Sequence, residues 1–149
     1  MSESERWNPS LHEDLQLRLR EGGPVDYTYR TDKPVQYVAV ANDSIGILGY
    51  LWACDADDAA GWVARPAAGH EGVNSAIIWF HDLREAKARG LEPSRALAEF
   101  AALPKGTYVD WVVPGSWASA DSVAALEELA SEGYTPPPPR PRPVRRREP

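Results

Sequence analysis

Three carboxylates crowd one short stretch, Asp55-Ala56-Asp57-Asp58. Oxygen donors at this density suit hard divalent cations such as Mg²⁺ or Ca²⁺. The stretch lacks the glycine and distal glutamate of an EF-hand loop. Its plainer reading is a solvated turn in which Asp57 or Asp58 caps a short helical turn. A little further on, Gly69 and Gly72 bracket His70-Glu71, and loops often carry chemistry. The histidines, His12, His70 and His81, lack the i, i+4 spacing of a helical zinc pair, and no second thiol accompanies Cys54. His81 reads as a partly exposed helix residue, and Cys54, in an apolar run, as a small buried hydrophobe. No nucleophile elbow, Walker loop or dinucleotide fingerprint is present. Hence no catalytic residue, metal site or cofactor is expected.

What remains is a candidate ligand-binding loop from Asp55 to Gly72, with Asp55, Asp57, Asp58, Trp62, His70 and Gly72 as its candidate residues. The acids there would draw a cation. The helix N-terminus expected near Ser75 would draw an anion. The two pull in opposite directions, so one point cannot favour both. Trp62 and Trp117 both read as loop residues, and tryptophan is enriched at binding surfaces.

A second candidate lies at the C-terminal end. Residues 136–149 hold seven of the 14 prolines and five arginines against one acid, Glu148. This segment therefore carries +4, and residues 1–135 carry −10 of the total −6. Proline cannot continue a helix or donate to a sheet, so the segment is expected to be a disordered, polyproline-like tail. Pro138, Arg140, Pro141 and Arg142 are its candidate partner-binding residues, as a ligand for a groove that reads Pro-x-x-Pro or a basic hook for nucleic acid or anionic lipid; its plainer reading is an inert, solubilising extension. An acidic body makes nucleic-acid binding by residues 1–135 unfavourable.

The elements that would position these residues follow from periodicity. Ser10, with Glu13 three residues on, predicts a capped helix over 11–21, bearing Leu11, Leu15 and Leu19 on one face and stopped by Gly22-Gly23; the alternation from Leu15 to Arg20 also fits a strand, and the two end signals favour the helix. Val25 to Thr31 alternates as a strand with Val25, Tyr27 and Tyr29 inward. Val35 to Ala41 predicts a second strand and Asn42-Asp43-Ser44 a turn. Ile45 to Cys54 is apolar on both faces, as a central strand covered on both sides would be. These three would make an antiparallel meander. Gly46 and Gly49 suggest a bulge or a close backbone approach. A helix capped by Asn74 then runs from Ser75 to Arg89, and another from Pro93 to Leu103. Thr107 to Val113 predicts a strand with Val109, Trp111 and Val113 on one face. A last helix, capped by Ser119 or Asp121, would turn Val123, Leu126 and Leu129 inward.

Val38 to Leu51, VAVANDSIGILGYL, resembles the central hairpin of the GCN5-related N-acetyltransferases. Gly69 to Ile78, GHEGVNSAII, falls where that family has its Arg/Gln-x-x-Gly-x-Gly/Ala loop and the following helix. Leu126 to Tyr134 is similar to its final helix. In the family, backbone N–H groups of that loop and the helix N-terminus hold the pyrophosphate of acetyl-coenzyme A. The resemblance thus implies an N-acyltransferase-like enzyme using that cofactor. Only Gly72 matches the motif residue by residue. Gly69 stands where the family has Arg or Gln, Asn74 where it has a small residue, and Glu71 where phosphate would lie.

The chain has 149 residues, 43% hydrophobic and 26% charged, within the range of one globular domain. No run of apolar residues is long enough for a membrane span. Met1 to Arg6 has neither the basic start nor the apolar stretch of a signal peptide, so a cytoplasmic protein is expected. The fold class expected is α+β: an antiparallel sheet of about four strands packed with about four helices, as a single domain over 1–135, with the Pro/Arg-rich tail over 136–149. The function expected is a small non-catalytic interaction module, with a protein partner engaged through the tail or the loop tryptophans. The alternatives are the acyltransferase and a nucleic-acid accessory protein acting through the basic tail.

Overall fold

The structure, a computed structural model, describes residues 26–139. The helix expected over 11–21 lies outside them, as do Arg140, Pro141 and Arg142.

The central hairpin forms where β-branched and aromatic residues concentrate. β1, Val35–Asn42, pairs antiparallel with β2, Gly46–Cys54. The turn between them is tied by the buried Asn42, whose Oδ1 accepts the Ile45 N–H at 2.8 Å. β3, Ala59–Ala64, pairs antiparallel with the other edge of β2. β2 is therefore internal, as its two-sided apolar pattern predicts. The meander is real, but its third strand is β3 and not Val25 to Thr31. Val25 lies outside the described residues; from Asp26 to Thr31 the segment makes only an isolated parallel bridge, Thr28 to Ala59. Tyr27 is buried as expected, whereas Tyr29 is exposed.

Two glycine–tryptophan pairs explain why so poor a strand sequence as Ala59–Ala64 joins the sheet. Glycine and alanine disfavour strands on their own. Here they leave room for indoles. A Cβ on Gly61 would sit 2.7 Å from the Trp52 ring, and one on Gly49 2.6 Å from the Trp62 ring. Next to Gly49, the β1–β2 register shifts between Val40 and Ala41, which leaves Leu48 as an extra residue on β2. This bulge turns Leu48 to the same side as Leu51. The sequence expectation of a bulge or close approach at Gly49 holds in both senses.

Both faces of the sheet are covered. On one, α1, Gly69–Ala88, and α2, Pro93–Ala101, bury Trp79, Leu83, Leu97 and Phe100 against Val38, Val40, Leu48 and Leu51. On the other, α3, Val123–Ala130, buries Leu126 and Ala130 against Val35, Trp52, Cys54 and Val63. α1 begins at Gly69, so Asn74 is an exposed interior residue and no cap. Gly72 is needed there because its first turn crosses β2: a Cβ would lie 2.8 Å from the Leu48 carbonyl oxygen. The cap of α3 is Ser122, which accepts the Ala125 N–H at 3.0 Å, and not Ser119 or Asp121. Leu129 is exposed and Ala130 takes its place inside.

The free edge of β1 carries two short strands, β4, Trp111–Val112, and β5, Ala118–Ala120. Between them the chain bulges out through Pro114 and Gly115. The Ser116 hydroxyl fills the gap, accepting the Ala39 N–H at 3.0 Å and donating to the Val113 carbonyl at 2.7 Å. The expected strand over Thr107 to Val113 is thus only two residues long, and its facing is reversed. Val112 and Asp110 are buried, while Val109 is 78% exposed. The whole is a five-stranded antiparallel sheet with three helices among the described residues, an α+β fold.

Candidate functional site

The stretch from Asp55 to Gly72 is not a loop. It consists of a 3-10 turn at Asp55–Asp57, strand β3, a second 3-10 turn at Pro66–Ala68 and the first turn of α1. The three aspartates at its start diverge. Asp55 reaches across to α2, accepting the Ser94 N–H at 2.8 Å and the Ser94 hydroxyl at 2.5 Å. It thereby caps that helix from a distance, with its charge at the positive end of the dipole. Asp57 pairs with Lys33 and accepts the Thr31 hydroxyl at 2.6 Å. The Lys33 ammonium holds its carboxyl below the usual carboxylate range. Asp58, in the left-handed region at φ 50°, pairs with Lys87 on α1.

Trp62 sits in β3, partly buried, and donates its indole N–H to the Gly72 carbonyl at 3.0 Å. This bond and the Gly49 cradle lock the indole between β2 and α1. His70 is exposed on the first turn of α1. Beside it Glu71 accepts from the Asn42 amide at 2.9 Å. Cys54 is a buried free thiol facing α3. Trp117, unlike Trp62, stands exposed between β4 and β5.

The structure assembles polar groups elsewhere, along the line where the 108–110 segment meets α1. Ser75 donates to Asp110 at 2.6 Å and accepts from the Trp79 indole at 3.1 Å, all three side chains buried. One and two turns on, the Tyr108 ring meets Trp79 edge-on at 5.8 Å, and the Tyr108 phenol is pushed up by the neighbouring Asp82 carboxylate and then by burial. Asp82 is only 8% exposed and lines an open cleft together with Glu85, Phe100, Leu103, Tyr108 and the Arg89–Glu99 pair. Among the described residues, His81, Asp82 and Glu85 form a group whose donor atoms lie within 4.8 Å of one another. One imidazole and two carboxylates are the donor types borderline divalent metals take, but all three stand on one turn of one helix. This line was not visible in the sequence. It depends on the reversed facing of Asp110, and only the i, i+4, i+7 spacing of Ser75, Trp79 and Asp82 hinted at a shared face.

The first prolines of the tail are described. Tyr134 to Pro139 are exposed and belong to no helix or strand.

Fold and polar line together define an α+β domain with helices on both faces of its sheet. Comparison with protein-family models, with curated proteins and with solved structures finds no match to this chain. No helix among the described residues is long and apolar enough to cross a membrane.

Proposed function

We propose that this chain is a small non-catalytic interaction module. The Pro/Arg-rich segment 136–149 is the part that engages a partner, and the α+β body is its carrier. The observation that carries this is the exit of the chain from α3: Tyr134 to Pro139 are exposed. Proline there has a restricted φ and no N–H, so the segment meets an aromatic groove with little ordering cost. Arg140 and Arg142 would add contacts to carboxylates at the rim of such a groove. The sites first read as ligand-binding have other employment in the body: Asp55 caps α2, Asp57 and Asp58 hold lysines, and Trp62 packs.

The test is an amide-shift titration of the full chain with purified SH3 and WW domains, single-stranded RNA and acetyl-coenzyme A in separate arms. Shifts confined to residues from Tyr134 onward, with a Pro-x-x-Pro-reading domain, are the expected result. A response of residues 69–76 to acetyl-coenzyme A would favour the acyltransferase instead. A tail response to RNA alone, lost with added salt, would favour the nucleic-acid accessory reading.

A further inference from the structure

One face of α1 is apolar, turned outward and only half covered. Val73, Ile77, Phe80 and Arg84 follow one another at spacings of four, three and four residues, which places them in a single row along the helix. The C-terminal half of the row has a partner within the chain. Tyr29 packs edge-on to Phe80 at 5.0 Å, and Arg84 Nε donates to Asp26 at 2.7 Å. The N-terminal half is bare among the described residues: Val73 is 61% and Ile77 73% exposed. Asp26 is also where the described chain begins, so the 25 residues before it start from a point already fastened to this row.

Those residues include the stretch whose leucines fall at 11, 15 and 19, bounded by Ser10 and by Gly22-Gly23. As a helix it would be about 16 Å long, the same as the distance along α1 from Val73 to Arg84, at about 1.5 Å per residue. The four residues from Gly22 to Val25 span at most about 14 Å. A leucine face on this short a tether would meet the row at high effective concentration. A second copy or a separate protein would have to compete with a tethered apolar face of matching length.

We propose that residues 11–21 of this chain dock as an amphipathic helix along Val73 and Ile77, continuing the cover that Tyr29 and Asp26 begin. The surface is then an intramolecular helix–helix contact. A spin label on Asn74→Cys, an exposed α1 position beside the row, tests it in the full chain carrying Cys54→Ala. Loss of the amide signals of Leu11 to Glu21 is expected, unchanged when the labelled chain is diluted with unlabelled, NMR-silent chain. Leu15→Asp should restore those signals while leaving the rest of the spectrum in place. Three results would each overturn the proposal: full signals for 11–21, signal loss that needs a second, spin-labelled copy, or signal loss that survives Leu15→Asp.

Discussion

Gly46 and Gly49 stand three positions apart in β2 and are needed for different reasons. Gly46 has φ +88° with open space around it, whereas Gly49 has an ordinary backbone but a Trp62 ring and the Val63 carbonyl where a Cβ would be. Gly46→Ala should therefore cost about 1 kcal/mol through backbone strain. Gly49→Val should cost about 3 kcal/mol, because the indole must leave its cradle. Urea midpoints of the two variants check this ranking. Tyr27 makes a third case. Its ring is buried, its hydroxyl donates to the Leu91 carbonyl at 2.7 Å, and burial, then the Asp58 charge, push its phenol up to about 12. The neutral phenol is the form the fold accepts. Its contribution is thus complete below the unfolded value of about 10 and is lost as pH rises through about 12. Tyr27→Phe should cost about 1 kcal/mol at neutral pH, and it should flatten the fall in melting temperature over that alkaline window.

Elements were legible where pattern and burial agree. β1 carries Val35, Tyr37, Val38 and Val40 and β2 carries Ile47, Tyr50 and Trp52 in otherwise apolar runs, and α2 has Pro93 at its start, so their bounds follow from local chemistry. β3 was hidden because Ala59, Ala60 and Gly61 have weak strand preference; only the packing of Trp52 and Trp62 across the sheet makes a strand of them. The same error made a loop of Asp55 to Gly72 and so suggested a ligand site there. Nothing in the spacing of Asp55, Asp57 and Asp58 shows that Ser94, Lys33 and Lys87 await them on other elements. The β4–β5 edge escaped for a related reason, since its bulge depends on Ser116 standing in for a backbone acceptor. Ser116→Ala should leave the Ala39 N–H without a partner and cost about 1–2 kcal/mol, with faster hydrogen exchange at Ala39. Leu48→Asp tests β2 as the centre of the fold. Leu48 is fully buried between β2 and the α1–α2 layer. An unpaired carboxylate there costs several kcal/mol, comparable to the stability of a small domain, so the variant should be unfolded by circular dichroism.

At the scale of the whole molecule, the two halves of the charge balance have different work. Residues 1–135 carry −10 as the excess of acids over bases, and some of their acids tie segments together in neutral pairs, Asp26 to Arg84, Asp58 to Lys87 and Glu99 to Arg89. The +4 of residues 136–149 follows a stretch, Tyr134 to Pro139, that is exposed and outside the sheet and helices. Removing residues 136–149 should therefore leave the melting temperature nearly unchanged, since the segment offers almost no apolar surface to bury. The same truncation separates the role proposed for the segment from any role of the body. Calorimetric titration of the full chain and of the chain ending at Thr135, against the Pro-x-x-Pro-reading domain that shifts the tail amides, is the most direct measurement. Binding by the full chain and none by the truncated chain, at equal melting temperature, is expected; equal affinity of the two chains would place the binding surface on the body and not on the tail.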